Sequence, residues 1–317
     1  MCLATNVGTY VSGLWYASIN EGGNLSLAKV GRFKSADARA EFLRMYDKVL
    51  THWPVACEEL DVATDFGTTH VRRSGDPDGS PMVLVHPNLG TSLAWWRMVE
   101  PLAQAHQVFA LDTIGALGRS VQTKPIAGAA DLAGWLGGVI EELGLRGAHL
   151  VGFSEGGWVA MSAALGRVPI RSLVAIEPGG IVKISKRFLG AMLIAGVKAQ
   201  FNDKALQQFA EHISPGVQFA PGEMETVLYG AKHFKPALPF PRQFTDEDLS
   251  NLDVPTLLFM GAKTELYDPE AAAERANRLM PDVETSVVPK AHHGLPFQYP
   301  ELTTKTILDF VARIEDR

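Results

Sequence analysis

The chain is poor in cysteine: Cys2 and Cys57 are the two in 317 residues. They cannot form a disulfide framework, so the sequence predicts free thiols, a reducing compartment and a cytoplasmic protein. No Lys or Arg precedes Lys29 and no long apolar run appears near the start, which argues against a signal peptide. The longest candidate for a membrane segment, Leu189–Val197, has nine residues, flanked by Lys186, Arg187 and Lys198. A spanning helix needs about 20, so no membrane partner is expected. Basic excess is also missing: the net charge is −6, which argues against nucleic acid as a partner. There is no Cys-x-x-Cys and no His-x-x-x-His, and adjacent His292 and His293 cannot ligate from one helix face. No Gly-x-x-x-x-Gly-Lys-Ser/Thr phosphate loop occurs. No metal and no cofactor are therefore expected.

What remains is ordinary globular material, 46% hydrophobic and 20% charged, on a chain long enough to bury a large core. Residues 1–30 are rich in Gly, Ser, Asn and Thr and read as an arm; the aromatics Tyr10, Trp15 and Tyr16 would suit docking on a second subunit, giving a homodimer. Residues 35–52 carry helical spacing, with Ala38, Phe42, Met45 and Val49 on one face. Strands are predicted near 59–63, 68–73, 82–86, 107–112, 147–152, 171–177, 254–260 and 283–288. Helices are predicted near 92–105, 129–143, 155–166, 268–280 and 300–315. This alternation predicts an α/β fold with a mainly parallel central sheet and helices on both faces. The rhythm breaks between Pro178 and about Ser250, where helical patterns occur without a strand signal. The expected division is an N-terminal extension with one helix (1–58), a core (59–177 and 251–317), and a helical cap inserted at 178–250.

The most informative motif is Gly152-Phe153-Ser154-Glu155-Gly156. An apolar run, Ala148–Val151, precedes it as a buried strand, and a small, apolar stretch, Gly156–Leu165, follows as a buried helix. Gly-x-Ser-x-Gly at a strand-to-helix turn is a nucleophile elbow. It exposes Ser154 Oγ at the top of the sheet and aims the Glu155 N–H at the same point, at a helix N-terminus where negative charge is favoured. A serine there also reads as an ordinary helix N-cap. Sheets of this kind carry their sites at the carboxyl ends of the strands. Those ends hold His86-Pro87-Asn88-Leu89-Gly90, Asp112-Thr113-Ile114-Gly115, Glu177-Pro178, Gly261-Ala262-Lys263-Thr264-Glu265 and Ala291-His292-His293-Gly294.

Together these motifs resemble the α/β-hydrolase superfamily, over about residues 59–315. Within it the chain is most similar to bacterial carboxylesterase-like members with an N-terminal extension. The resemblance implies a nucleophile at Ser154 and, of the adjacent candidates His292 and His293, a base better matched by His293, which lies seven residues ahead of Pro300. The acid departs from the common pattern. The usual slot, three residues after Gly261, holds Thr264, which carries no charge. Some α/β-hydrolases place the acid after the preceding strand, where Glu177 stands; the alternative acid is Glu265. The resemblance also implies an oxyanion hole from the backbone of Glu155 and of Asn88, because Pro87 has no N–H to give. His86 is expected to stabilise its loop. A pocket lined by Trp95, Trp96, Phe153, Phe188, Met192 and Tyr229 is expected to favour an apolar or aromatic group.

The expected function is hydrolysis of a small-molecule carboxylic ester through a Ser-His-Glu triad and an acyl-enzyme. Two alternatives stay open at this point: a lactonase, or biosynthetic thioesterase or cyclase, using the same triad; and a non-catalytic ligand receptor on a hydrolase fold.

Overall fold

The computed structural model describes residues 17–19, 25–27, 30–199, 202, 204–217 and 219–317. The strands are β1 (Ala17–Ile19), β2 (Leu25–Leu27), β3 (Arg32–Phe33), β4 (Cys57–Thr64), β5 (Gly67–Ser74), β6 (Pro81–Val85) and β7 (Gln107–Leu111). They continue with β8 (Val121–Gln122), β9 (Ala148–Phe153), β10 (Ile170–Ile176), β11 (Phe234–Lys235), β12 (Thr256–Gly261) and β13 (Val283–Val288). The main sheet has the order β13-β12-β10-β9-β6-β7-β5-β4, with β8 also pairing β5. From β13 to β7 every pairing is parallel; β5, β4 and β8 close one side antiparallel.

Alternation along each strand divides the core in two. Val83, Val85, Leu150, Leu173 and Leu258 face one layer, with Leu132, Trp135 and Leu136 of helix Ala129–Glu142 and Trp158 of helix Glu155–Leu165. Met82, Leu84, Val151, Val174 and Leu257 face the other, with Phe42 and Val49 of helix Ala36–Leu50 and Ile307 and Phe310 of helix Pro300–Glu315. Strands covered on both faces read as near-continuous apolar runs, and β9 is buried at all of its residues, His149 being its polar exception. Each fully buried Leu, Val or Phe contributes about 1.5–3 kcal/mol relative to exposure.

The predicted strands and helices recur within a few residues, with informative exceptions. The stretch 92–105 is two helices, a 3₁₀ turn Ser92–Trp95 and an α-helix Val99–Ala105. Trp96 and Met98 N–H groups bond three residues back, to Leu93 and Trp95, and Pro101 falls in the first turn of the second helix, where no N–H is needed. In helix Ala36–Leu50, capped by Ser35, the buried face is Ala38, Phe42, Tyr46 and Val49; Tyr46 replaces the expected Met45. Its hydroxyl lies 3.0 Å from Asp112 Oδ2 and 2.9 Å from Ser92 Oγ. This helix is thus built into the body rather than carried on an arm. Most of residues 1–29 lie outside the described residues, but β1 and β2 pair antiparallel there.

Between β10 and β12 come helices Lys186–Ala199, Lys204–Ile213, Glu223–His233 and Asp246–Ser250. The stretch contains one strand the sequence did not signal, β11, which pairs antiparallel with β3. Two residues are too few to show an alternation, and the partner is remote in sequence. Phe33 meets Phe234 edge-on at 5.0 Å, so the start of the chain is stitched to this helical stretch. Among the described residues no helix is long and apolar enough to cross a membrane.

Candidate active site

The turn from β9 into helix Glu155–Leu165 is as sharp as the motif demands. Ser154 adopts φ +55° and ψ −115°, outside the regions open to ordinary residues. Such a conformation costs on the order of 1–3 kcal/mol and persists where the surroundings enforce it. Its N–H donates to the Ile176 carbonyl at 2.9 Å, continuing the ladder to β10. The flanking glycines are obligatory for space: a Cβ on Gly152 would strike the Gly156 carbonyl, and one on Gly156 would strike the Val85 and His86 carbonyls. Helix Glu155–Leu165 and the end of β6 therefore touch backbone to backbone.

Ser154 Oγ lies 3.0 Å from His293 Nε2. His293 Nδ1 lies 3.3 Å from Glu177 Oε2. Glu177 follows β10 with φ +46° and is fully buried. A buried carboxylate must be hydrogen-bonded. Besides His293, Glu177 receives the Gly261 N–H and the Thr264 hydroxyl, the latter at 2.6 Å. Thr264, in the slot where the resemblance leads one to look for an acid, instead donates to the Glu177 carboxylate at the end of the neighbouring strand. Glu265, the alternative acid, is engaged elsewhere: its Oε1 is 2.6 Å from His292 Nδ1, and its Oε2 accepts the His293 N–H at 3.4 Å. The His293 ring packs 5.6 Å from Phe153 and 5.8 Å from Phe188.

The loop after β6 is fixed by His86. Its Nε2 accepts the Thr113 N–H at 3.0 Å, which leaves Nδ1 to donate to the Pro87 carbonyl at 2.8 Å. Burial holds His86 below the usual histidine value, so the neutral ring that this pattern needs is the stable one. The Gly90 N–H closes a turn onto Pro87 O at 3.0 Å. Asn88 and Glu155 both line the cavity that opens over Ser154 and His293.

That cavity has a volume of about 220 Å³. Phe153, Phe188 and Met192 line it, joined by Phe209, Phe219, Met224, Phe240 and Phe297. Trp95, Trp96 and Tyr229 are not among its described lining residues. The 3₁₀ turn points Trp95 into the core, where it is 1% exposed. Trp96 lies under the Arg97 guanidinium and holds the Glu223 carboxyl, and Tyr229 stacks on His233 at 4.2 Å. Glu223, which sequence reasoning missed, does line the cavity; burial pushes its carboxyl up, against the pull of the Ala220 N–H it accepts at 2.8 Å. No group of three or more His, Cys, Asp or Glu placed to hold a metal occurs among the described residues.

Comparison with known proteins decides the family. Residues 82–306 match the Alpha/beta hydrolase family. The chain belongs to that family. This α/β-hydrolase is 31% identical to the uncharacterized carboxylesterase nap of Bacillus subtilis over 283 residues, covering 87% of this chain and 93% of that one. It is 28% identical to carboxylesterase YbfK of Bacillus subtilis over 297 residues, 89% and 97% of the two chains. The crystal structure of naproxen esterase from Bacillus subtilis superposes with a TM-score of 0.81 at 26% identity, covering 88% of this chain and 99% of that one.

Proposed function

We propose that this α/β-hydrolase is a serine carboxylesterase that works through Ser154, His293 and Glu177. The observation that carries this reading is the continuous chain from Ser154 Oγ through both nitrogens of His293 to a buried carboxylate. The similarity to carboxylesterases over nearly the whole of their length supports ester hydrolysis as its reaction.

The expected steps follow from the geometry. His293 Nε2 takes the proton as Ser154 Oγ attacks the ester carbonyl, and the carbonyl electrons move onto oxygen. The Glu155 and Asn88 backbone N–H groups are the proposed donors to that oxyanion. His293 Nδ1–H points to Glu177, whose charge stabilises the imidazolium. Collapse of the intermediate breaks the bond to the alcohol, which leaves with the proton from His293. Water, deprotonated by the same imidazole, then releases the acid and restores Ser154. The apolar cavity supports an ester with an apolar or aromatic group. We read residues 178–250 as a cap over a core of 59–177 and 251–317, since Phe188, Met192 and Phe209 form cavity wall from that segment.

Intact-mass analysis of enzyme quenched during turnover of a p-nitrophenyl ester tests this reading. The expected result is an added acyl mass on wild type and none on Ser154→Ala. An unmodified wild type turning over at full rate would contradict it. The lactonase alternative is separated by product count: a lactone yields one hydroxy acid, heavier by one water. The intact nucleophile–base–acid chain favours turnover over a receptor that only binds.

A further inference from the structure

Gln298 bridges two parts of the molecule. Its Oε1 accepts the His292 N–H at 2.8 Å, and its Nε2 donates to the Pro215 carbonyl at 3.0 Å. His292 belongs to the loop that carries His293. Pro215 belongs to the turn that ends helix Lys204–Ile213, in the helical segment over the cavity. The Gly294 N–H donates to the Ile213 carbonyl of the same turn at 2.9 Å. Gly294 also packs directly on Ser214; any Cβ at 294 would collide with the Ser214 side chain. Phe188, from helix Lys186–Ala199, meets the His293 ring edge-on. The peptide groups on either side of His293 are therefore tied to the segment that walls the cavity.

We propose that Gln298 is a positioning residue that couples the seating of the 213–215 turn to the alignment of His293. The proposal rests on the Ser–His–Glu reading above. His293 must bridge Ser154 and Glu177 at once, and a shift of about 1 Å at such a site can cost on the order of 10²-fold in rate. If the turn shifts, it pulls on the His292 and Gly294 N–H groups together. The turn itself contributes Ile213 and Ser214 to the cavity wall, so a well-fitting substrate seats it and a poor one does not. Fit in the cavity is then expressed as base alignment, in kcat rather than in affinity. Gln298 and Pro215 are not among the described lining residues, so the coupling is separable from substrate contact.

Two variants dissect the bridge. Gln298→Glu keeps an acceptor for the His292 N–H and removes the donor to Pro215; Gln298→Leu removes both. The measurements are kcat and KM for p-nitrophenyl butyrate, per active site titrated with a fluorophosphonate, together with the rate of phosphonylation and the thermal midpoint. We expect kcat per titrated site and the phosphonylation rate to fall together by about 10- to 100-fold. KM should stay within about threefold. A purely structural role would lower the midpoint and the number of titratable sites while leaving the rate per site intact, and that result would overturn the proposal. Should Gln298→Leu not fold, Gln298→Glu alone decides. Ser154→Ala is the control for the underlying reading: if it retains turnover the triad assignment fails, whereas an inactive Ser154→Ala beside a fully active Gln298→Glu rejects the coupling alone.

Discussion

Thr264 Oγ1 donates a 2.6 Å hydrogen bond to Glu177 Oε2, the same oxygen that lies 3.3 Å from His293 Nδ1. The hydroxyl comes from the loop after β12 and the carboxylate from the end of β10, so adjacent strands together hold one buried carboxylate. Replacing Thr264 by Val leaves a buried carboxylate short of a donor. Hydrogen bonds to charged groups contribute about 1.5–3 kcal/mol, and a loss of that size is expected in the unfolding free energy measured with urea. Thr264→Ser should retain most of it. An unchanged midpoint and kcat in Thr264→Val would remove Thr264 from the account.

The Tyr46 hydroxyl spans Asp112 and Ser92 in the interior. Burial, then the charge of Asp112, pushes this phenol above its ordinary value, so it stays protonated as a donor. Asp112 is itself held ionised: burial opposes its charge, but His70 and the Arg119 and Ser92 N–H groups outweigh that. Tyr46→Phe should therefore destabilise by about 1–3 kcal/mol with kcat nearly unchanged, because the pair lies outside the proposed Ser154–His293–Glu177 chain. Chemical denaturation and steady-state kinetics on the same preparation check both halves.

Acid sensitivity should come in part from His149. Burial, which outweighs the attraction of Glu315, lowers this histidine to about 4, with His106 and Arg171 pulling the same way and Ser172 Oγ 2.7 Å from its Nδ1. The folded state keeps it neutral, whereas an unfolded chain protonates it near 6.5. Between those values the unfolded state binds more protons, so stability is lost as pH falls from about 6.5 through about 4. His86 and His106, also lowered by burial, act with the same sign. Urea midpoints from pH 7.5 to 4.5 should fall in wild type and fall less steeply in His149→Gln; parallel curves would contradict the assignment.

Cavity size should set ester preference. Met192 sits on the wall of a cavity of about 220 Å³. Met192→Trp fills part of that space, so kcat/KM for a bulky aryl ester should fall about tenfold or more relative to p-nitrophenyl acetate. Equal losses on both esters would place Met192 away from the bound substrate.

The elbow and the parallel sheet were legible because each has a local signature: small residues around a serine, and short apolar runs at regular spacing. His293 and Glu177 were singled out by the family resemblance, and the fold brings them together with Ser154. Side-chain direction was not legible. Trp95 and Trp96 follow the loop after β6 in sequence, yet the 3₁₀ turn sends Trp95 into the core, and no spacing rule marks that turn. Tyr46 was hidden because its neighbour Met45 suits the same apolar stripe, and the polar partner that selects tyrosine, Asp112, is far away in sequence. Glu223 and Gln298 are ordinary surface-type residues until the helical segment folds over the cavity. The β3–β11 pairing was equally hidden, since two residues carry no periodicity.

Glu177, rather than Glu265, is the proposed acid partner of His293. The decisive measurement is kcat for p-nitrophenyl butyrate in Glu177→Gln and Glu265→Gln beside wild type. A loss on the order of 10³- to 10⁴-fold is expected for Glu177→Gln, as for other triads whose acid is made neutral, and a far smaller one for Glu265→Gln. Near-wild-type turnover in Glu177→Gln with an inactive Glu265→Gln would contradict it.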